Sequence, residues 1–251
     1  MIITPIKTHP IRARQEKITS ILDRYITDLQ EKSVVVITSK IISLCEGRAV
    51  PTDSINRDEL AKQEAEYFLP RELNQYGVML SINQGTVIAS AGIDESNGDG
   101  HLVLWPKDLQ KSVSEIRKYL RRKFHLSELG VIMTDSHLQP LRWGTVGTCI
   151  AFSGFQPVNN YIGTEDIFGR KLKVTKSNVA EGIAAGAVVA MGEGSEQTPI
   201  AVVSDVPFVK FVDNDPTQTE LDDLRISKED DIFGALLNSV PWQKGKKSFL
   251  R

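Results

Sequence analysis

Residues 33–44 have the sequence SVVVITSKIISL, a run dominated by β-branched side chains with few polar residues between them. Such a run is typical of a β-strand buried on both faces, because neither face needs the polar residues that contact with water favours. We therefore predict a strand over residues 33–44. This strand limits the chain to folds in which a sheet is covered on both sides.

Four segments have the pattern of helices. The apolar positions of residues 13–30 recur at helical spacing and form one stripe. Residues 178–191, NVAEGIAAGAVVAM, predict a helix of small side chains that ends at Gly192. The other two predicted helices cover residues 57–69 and 108–123.

The remaining apolar segments predict strands. Residues 77–83 and 86–92 flank Gln84-Gly85 as the two strands of a hairpin. Further strands are predicted at residues 101–106, 129–136, 147–155, 171–177, 199–205 and 207–213. Because strands outnumber helices and do not alternate with them strictly, the predicted class is α+β, with mixed or antiparallel sheets and flanking helices.

A chain of 251 residues suits one large domain or two small ones. No repeat, low-complexity segment or Pro/Ser-rich linker divides it. We expect residues 1–215 to form one domain, either as a single unit or as two intimately packed subdomains. Residues 216–251 are polar and helix-prone, and we expect a C-terminal helical tail there.

The charge balance argues against a nucleic-acid partner. The chain has 30 Lys and Arg against 32 Asp and Glu, a net charge of −2, whereas nucleic-acid binders usually carry a basic face. The basic run at residues 117–123 is better explained as the solvated face of an amphipathic helix. Cys45 and Cys149 are far apart and no CxxC is present, so neither a zinc site nor a disulfide framework is indicated. With no signal peptide and no membrane-length apolar stretch, we expect a cytoplasmic protein with no membrane partner.

Acidic residues recur where apolar segments end. Asp94 follows VIASAGI and opens a turn rich in oxygen donors, Asp135 follows LGVIMT, and Glu193 lies between two glycines. Carboxylates from separate turns suit a hard cation such as Mg²⁺ or Mn²⁺, which keeps several waters and often needs few carboxylates besides substrate phosphates. Each acid alone also fits a structural turn, with Asp94 as a cap and Asp135-Ser136 as an Asx turn. The residues alone leave both interpretations open.

Five segments spread over roughly residues 5–205 carry a resemblance. They are VVVITSKIISLCEGR, SAGIDESN, VIMTDSHLQPLRWG, DIFGRKLKVT and NVAEGIAAGAVVAMGEG. Their order and approximate spacing resemble those of the coenzyme F420:L-glutamate ligase family. Enzymes of that family attach L-glutamate through its amine to a carboxylate of a deazaflavin precursor, using GTP and a divalent metal. The resemblance implies the family's ligase fold and a homodimer with the site near the subunit interface.

The resemblance also implies roles for individual residues. The expected metal ligands, for two Mg²⁺ or Mn²⁺ ions, are Asp94, Asp135, Ser136 and Glu193. The expected nucleotide-binding residues are Ser39, Lys40, Asn97, Gly192, Gly194, Ser195 and Thr198, and Pro5 to Thr8 fall where the first nucleotide loop of the family begins. Lys40 or Arg142 is expected to add fixed positive charge for catalysis, although Lys40 also fits a plain surface lysine. Arg170 fits either a substrate carboxylate or a structural ion pair, and His137 fits either a polar surface role or a phosphate contact.

The sequence departs from the family pattern at three cationic positions. Leu44, Gln139 and Ile162 stand where the family has basic side chains. Because the site handles anions, the loss of these cations affects how both the nucleotide and the acceptor would be bound. Trp105 and Trp143 are interpreted as packing residues rather than stacking platforms.

The expected activity is therefore that of an amide ligase that uses GTP or ATP. It joins L-glutamate to a carboxylate of a pterin- or deazaflavin-like acceptor through an acyl phosphate. Two alternatives remain: the same chemistry on folate, and a regulator that binds nucleotide or metal without catalysis.

Overall fold

The computed structural model describes residues 1–247. The helices are α1 Ile18–Tyr25, α2 Ser39–Glu46, α3 Arg57–Glu64, α4 Leu109–Phe124, α5 Val179–Met191, α6 Gln218–Leu224 and α7 Gly234–Leu237. The strands are β1 Ile2–Ile6, β2 Ser33–Thr38, β3 Ala49–Pro51, β4 Tyr67–Leu69, β5 Leu80–Asn83, β6 Thr86–Ala89, β7 His101–Val103, β8 Leu129–Leu138, β9 Thr145–Ser153, β10 Val158–Asn160, β11 Lys176–Asn178, β12 Ile200–Ser204 and β13 Gln243–Lys244. This mixture of sheets and helices confirms the α+β class.

The main sheet has five strands in the order β1-β12-β2-β8-β9. The β2 and β8 strands are parallel and the other neighbours are antiparallel. Val34 and Val36 of β2 face a core that contains α5, whereas Val35 and Ile37 face a core that contains α1, α2 and α4. The prediction that this strand is buried on both faces is confirmed.

The same segment also contains an error of prediction. The strand ends at Thr38, and Ser39–Glu46 form α2 instead of continuing it. Ser39, Lys40, Ser43 and Glu46 lie on one face of this helix, but its eight residues are fewer than the roughly 11–18 over which helical periodicity is recognised, and they directly continue an apolar strand. The helix ends at Gly47, whose φ of 73° is the left-handed conformation that glycine adopts without strain.

A smaller lobe is built around a four-stranded sheet in the order β13-β4-β5-β6, with the β3–β7 pair beside it. Its core is formed by α3, Phe68 of β4 and residues near β7. The predicted hairpin is confirmed, because Gln84 and Gly85 have φ of 49° and 73° between β5 and β6. A two-residue hairpin turn needs left-handed backbone at both residues for its twist to match that of the two strands.

Other predicted boundaries shift. The first helix covers only Ile18–Tyr25, and the predicted helix at 57–69 ends at Glu64 because Ala65 turns to extended backbone before β4. Of the segment 171–177, only its last two residues join a strand, β11. The segment 207–213 forms no strand and is tied to Phe155 by an isolated bridge at Phe211.

The helices predicted at 108–123 and 178–191 are confirmed as α4 and α5. Asp108 accepts a hydrogen bond from the Lys111 amide and Asn178 accepts one from the Glu181 amide, so each helix begins with a side-chain cap. The basic run on α4 is not wholly solvated, because Arg117 is 1% exposed. Its guanidinium donates to the carbonyls of Leu129 and Val212, which explains how a cation is accommodated there.

Residues 216–247 wrap from the main sheet to the smaller lobe. Arg225 donates to the carbonyl of Ile150 in β9 at 3.1 Å, and β13 pairs with β4 as the outer strand of the smaller sheet. The Lys247 ammonium then donates to Asn83 Oδ1 at 3.2 Å. Within residues 1–247, none of the helices is both long enough and apolar enough to cross a membrane.

Candidate active site

A cleft of about 680 Å³ lies between the two lobes, at one edge of the main sheet. Its walls come from Thr8–Arg12, the start of α2, the loop after β6, the middle of β8, and the turn that joins α5 to β12. Elements far apart in the sequence therefore meet here. The register of the sheet explains why.

Thr38 of β2 pairs in parallel with Thr134 of β8. Parallel strands end at the same edge of a sheet, so Ser39 and Lys40 come out beside Asp135. The register of β8 against β9 shifts between Met133 and Thr134, directly before Asp135. A bulge of this kind re-aims the side chains that follow it and is common beside functional sites.

Lys40 is held by the loop that carries Asp94. Its ammonium donates to Asp94 Oδ2 at 2.6 Å, to the Ser96 carbonyl at 2.8 Å and to Ser96 Oγ at 3.0 Å. A cation in the first turn of a helix is disfavoured by the helix dipole, and these oxygens offset that cost. The ion pair also joins the main sheet to the smaller lobe.

The carboxylate of Asp94 is stabilised in its ionised form. Burial alone would raise the pKa of Asp94, but the hydrogen bond and charge of Lys40 and the donors of Ser96 outweigh it and bring the pKa below its usual value. The Ser96 amide donates to Oδ1 at 2.8 Å. Asp94 is therefore an anion at neutral pH.

Asp135 has the opposite environment. Burial raises the pKa of Asp135 to about 6, against the hydrogen bonds from the Trp105 indole and the Ser136 amide, which lower it. The negative charge of Asp94 raises it further. Asp135 is thus a carboxylate whose charge is poorly compensated by the protein itself. A cation entering the cleft would relieve this deficit.

The turn after α5 brings Glu193 and its neighbours to the same cleft. Ser136 Oγ donates to both oxygens of Glu193, at 2.7 and 3.0 Å. The side chain of Asn97 donates to the Gly194 carbonyl at 3.1 Å, which links the Asp94 loop to this turn. Thr198 Oγ1 donates to the Met191 carbonyl and closes the turn on itself.

The structure brings most of the predicted site residues together. Those that line the cleft are Ser39, Lys40, Asp94, Asn97, Asp135, Ser136, Gly192, Glu193, Gly194, Ser195 and Thr198. Thr8 also lines it, whereas Pro5 belongs to β1. Of the three positions at which the family has basic side chains, only Leu44 lines the cleft; Gln139 and Ile162 are exposed elsewhere.

Arg142 is not brought to the cleft of its own chain. It is exposed at the tip of the β8–β9 hairpin, where its guanidinium donates to the Leu141 carbonyl at 2.9 Å. Arg170 is exposed in a turn closed by Asp166, and no ion pair of its side chain is present within residues 1–247. The pKa of His137 is lowered by burial, and His137 does not line the cleft.

Two site residues were missed by sequence reasoning. Arg57, at the start of α3, lines the cleft and donates to the carbonyl of Ile93, next to Asp94. Trp105 packs in the core as predicted, and in addition its indole donates to Asp135. Neither belongs to a recognisable motif, and the contacts that reveal them join distant parts of the sequence.

The donor set suits a hard cation bound together with a phosphate. Within the described residues, no three His, Cys, Asp or Glu side chains are grouped closely enough to bind one ion by themselves. The carboxylates of Asp94, Asp135 and Glu193 all line the cleft. A site that offers few carboxylates to each ion fits Mg²⁺ or Mn²⁺, which commonly takes one or two carboxylates and completes its shell with water and substrate phosphate oxygens.

Comparison with known proteins matches the chain to one family. The model of the family described as F420-0:Gamma-glutamyl ligase matches residues 5–205. A coenzyme F420:L-glutamate ligase of Methanococcus maripaludis is 33% identical over 220 residues, covering 82% of this chain and 86% of the relative. The coenzyme F420:L-glutamate ligase of Archaeoglobus fulgidus is 30% identical over 248 residues, covering 92% and 95%. That of Methanocaldococcus jannaschii is 31% identical over 222 residues, covering 82% and 86%. The cleft and these similarities extend over the same segments, and the chain belongs to the F420-0:gamma-glutamyl ligase family.

Proposed function

We propose that this protein is a ligase that joins L-glutamate to a carboxylate of a coenzyme F420 precursor. The family match and the similarity to coenzyme F420:L-glutamate ligases support this activity. The observation that carries it is the convergence of Lys40, Asp94, Asp135 and Glu193 on one cleft. Cations and carboxylates set side by side can handle a metal-bound triphosphate.

The reaction needs an activated acceptor, because a carboxylate has too poor a leaving group to react with an amine at neutral pH. We propose that GTP or ATP transfers its γ-phosphoryl group to the acceptor carboxylate, which forms an acyl phosphate. The amine of L-glutamate then attacks the acyl carbon and phosphate leaves. Phosphoryl transfer depends mainly on positioning and charge neutralisation, which is what this cleft offers.

Two Mg²⁺ or Mn²⁺ ions, when bound, would neutralise the phosphates and hold them in line with the acceptor. Asp94, Asp135, Ser136 and Glu193 are the oxygen donors proposed to hold them. The backbone amides of the turn after α5, together with Ser39 and Asn97, are proposed to bind the nucleotide. Lys40 is proposed to place its ammonium against the phosphates, since it already lies within 2.6 Å of Asp94.

We also propose a homodimer. The tip of the β8–β9 hairpin exposes Leu141 and Trp143, and the loop between β10 and β11 exposes Ile167 and Phe168, each at 88% or more. Contiguous exposed apolar surface marks protein contacts, and we propose that a partner subunit covers these two loops. In a dimer built on the hairpin tip, Arg142 would face the partner subunit. There it would add positive charge to the cleft of the partner, since it does not reach the cleft of its own chain.

The activity is tested by supplying the protein with Mg²⁺ or Mn²⁺, GTP or ATP, L-glutamate and one acceptor at a time. A mass gain of one glutamyl unit, coupled to nucleotide hydrolysis, is expected with the deazaflavin acceptor. If only folate gains the glutamyl unit, the acceptor is folate and the proposed ligase chemistry stands. Nucleotide binding without turnover on any acceptor would favour a regulator and refute the ligase.

A further inference from the structure

Trp105 lies between the two lobes, directly after β7. Side chains alternate along this strand: Leu102 and Leu104 enter the core of the smaller lobe, and Val103 and Trp105 enter the core of the main sheet. The Trp105 side chain is 2% exposed. Its carbonyl accepts a hydrogen bond from Arg48 Nε at 3.0 Å, so its backbone is fixed as well.

A glycine makes room for the indole. Gly92 has a φ of 78°, and a Cβ built on it would overlap the five-membered ring of Trp105. No other residue type fits both the backbone conformation and the space. The indole therefore occupies one defined position, with its N–H directed at β8.

That N–H donates to Oδ2 of Asp135, while the Ser136 amide donates to Oδ1 at 2.8 Å. One donor on each oxygen fixes the rotation of the carboxylate, and each oxygen keeps further lone pairs for a cation. An indole only donates, so it cannot itself compete with Asp135 for a metal. Its neutrality also leaves the negative charge of the carboxylate intact.

The same short segment fixes Asp94. The Asp94 amide donates to the Val103 carbonyl at 3.0 Å, and the Val103 amide donates to the Asp94 carbonyl at 2.7 Å. Val103 thus holds the backbone of one acid, and Trp105, two residues later, holds the side chain of the other. The distance between the two acids is set by this segment.

We propose that Trp105 is a positioning residue for the metal site, in which its indole N–H orients the Asp135 carboxylate relative to Asp94. The proposal rests on the metal-dependent function proposed above. Hydrogen-bond donors behind a metal ligand fix its orientation, and removing one weakens metal binding by roughly 10- to 100-fold. The cost would fall on affinity for the ion, not on the chemistry that follows binding.

The test compares Trp105→Phe with Trp242→Phe. Phenylalanine keeps an aromatic ring at this position and removes the donor together with the pyrrole ring, and the same loss of volume occurs in the control variant. Trp242 is a matched control, because its indole donates to the Leu237 carbonyl at 2.6 Å in the tail, away from the cleft. Binding of Mn²⁺, with a non-hydrolysable GTP or ATP analogue present, is measured by calorimetry, and unfolding in urea is measured in parallel.

We expect Trp105→Phe to bind Mn²⁺ at least about tenfold more weakly, and Trp242→Phe to bind within twofold of the unmodified protein. Turnover of Trp105→Phe should recover when Mn²⁺ is raised to saturation. Unchanged Mn²⁺ affinity in a folded Trp105→Phe variant would overturn the positioning role and leave the ligase proposal standing. If the unmodified protein binds no Mn²⁺ under these conditions, the metal site and the role of Trp105 fail together.

A second measurement covers the case in which Trp105→Phe does not fold. The double variant Trp143→Phe/Trp242→Phe leaves Trp105 as the sole tryptophan. Mn²⁺ should quench its emission with the midpoint found by calorimetry, because the ion would lie one carboxylate away from the indole. Emission that does not respond while Mn²⁺ binds would refute the contact between the indole and the metal site.

Discussion

The strongest quantitative prediction concerns Asp135→Asn in the metal-free protein. Burial raises the pKa of Asp135 to about 6, from 3.8 in an unfolded chain. Ionisation of Asp135 therefore opposes folding. This penalty in free energy grows as the pH rises from the pKa of the unfolded chain through the pKa of the folded protein. Linkage gives a penalty of about 2 kcal/mol at pH 5 and about 3 kcal/mol at pH 8.

Asparagine removes this penalty but cannot accept both hydrogen bonds that the carboxylate receives from Trp105 and Ser136. The lost bond costs about 1 kcal/mol at every pH. Asp135→Asn should then stabilise the protein by roughly 1 kcal/mol at pH 5 and roughly 2 kcal/mol at pH 8. The difference of about 1 kcal/mol between the two pH values is independent of the lost hydrogen bond.

The assay is urea unfolding in the presence of EDTA at pH 5, 6, 7 and 8. Asp53→Asn is the control, because it removes the same charge from an exposed turn far from the cleft. A stability difference between Asp135→Asn and the unmodified protein that stays flat across these pH values would refute the buried, under-compensated carboxylate. Added Mn²⁺ should stabilise the unmodified protein and not the variant.

Four further outcomes follow from the structure. Asp94→Asn should lower the free energy of unfolding slightly, by less than about 1 kcal/mol in urea at pH 7. Because folding lowers the pKa of Asp94, this difference between variant and unmodified protein should vanish as the pH falls through the folded-state pKa. Lys40→Met should reduce turnover at saturating nucleotide by 10-fold or more, measured as glutamyl transfer, while a folded far-ultraviolet spectrum is retained. Asn178→Ala should cost about 1 kcal/mol of stability by removing the cap of α5, with the acceptor KM unchanged. Gly245→Ala should release residues 243–247 to proteolysis, because a Cβ there overlaps the Ala65 carbonyl oxygen.

The central strand and the confirmed helices were predictable because their signals are local. The β-branched run SVVVIT favours a buried strand by its own composition, and Asn178 and Gly192 mark the ends of α5 by their own conformational preferences. The helix Ser39–Glu46 was missed because its eight residues are too few for a clear helical period and follow an apolar strand without a break.

The composition of the cleft was predictable in part. The positions of Asp94, Asp135 and Glu193 at the ends of apolar segments pointed to them, and the resemblance implied that they act together. The parallel register of Thr38 with Thr134 explains why Ser39 and Lys40 come out beside Asp135. The contact between Trp105 and Asp135 could not be foreseen, because it depends on the direction in which the segment after β7 points the indole. Arg142 failed to reach its own cleft because the β8–β9 hairpin carries it outward.

The pairing of β13 with β4 has a consequence for how the protein is made. Residues 67–68 leave the ribosome long before residues 243–244 are synthesised, and until then β4 presents an open edge. Open strand edges recruit other chains, and the danger is greatest in nascent or partly folded proteins. The smaller lobe should therefore depend on chaperone protection during translation, and a ribosome that stalls before codon 243 should release a chain prone to aggregation.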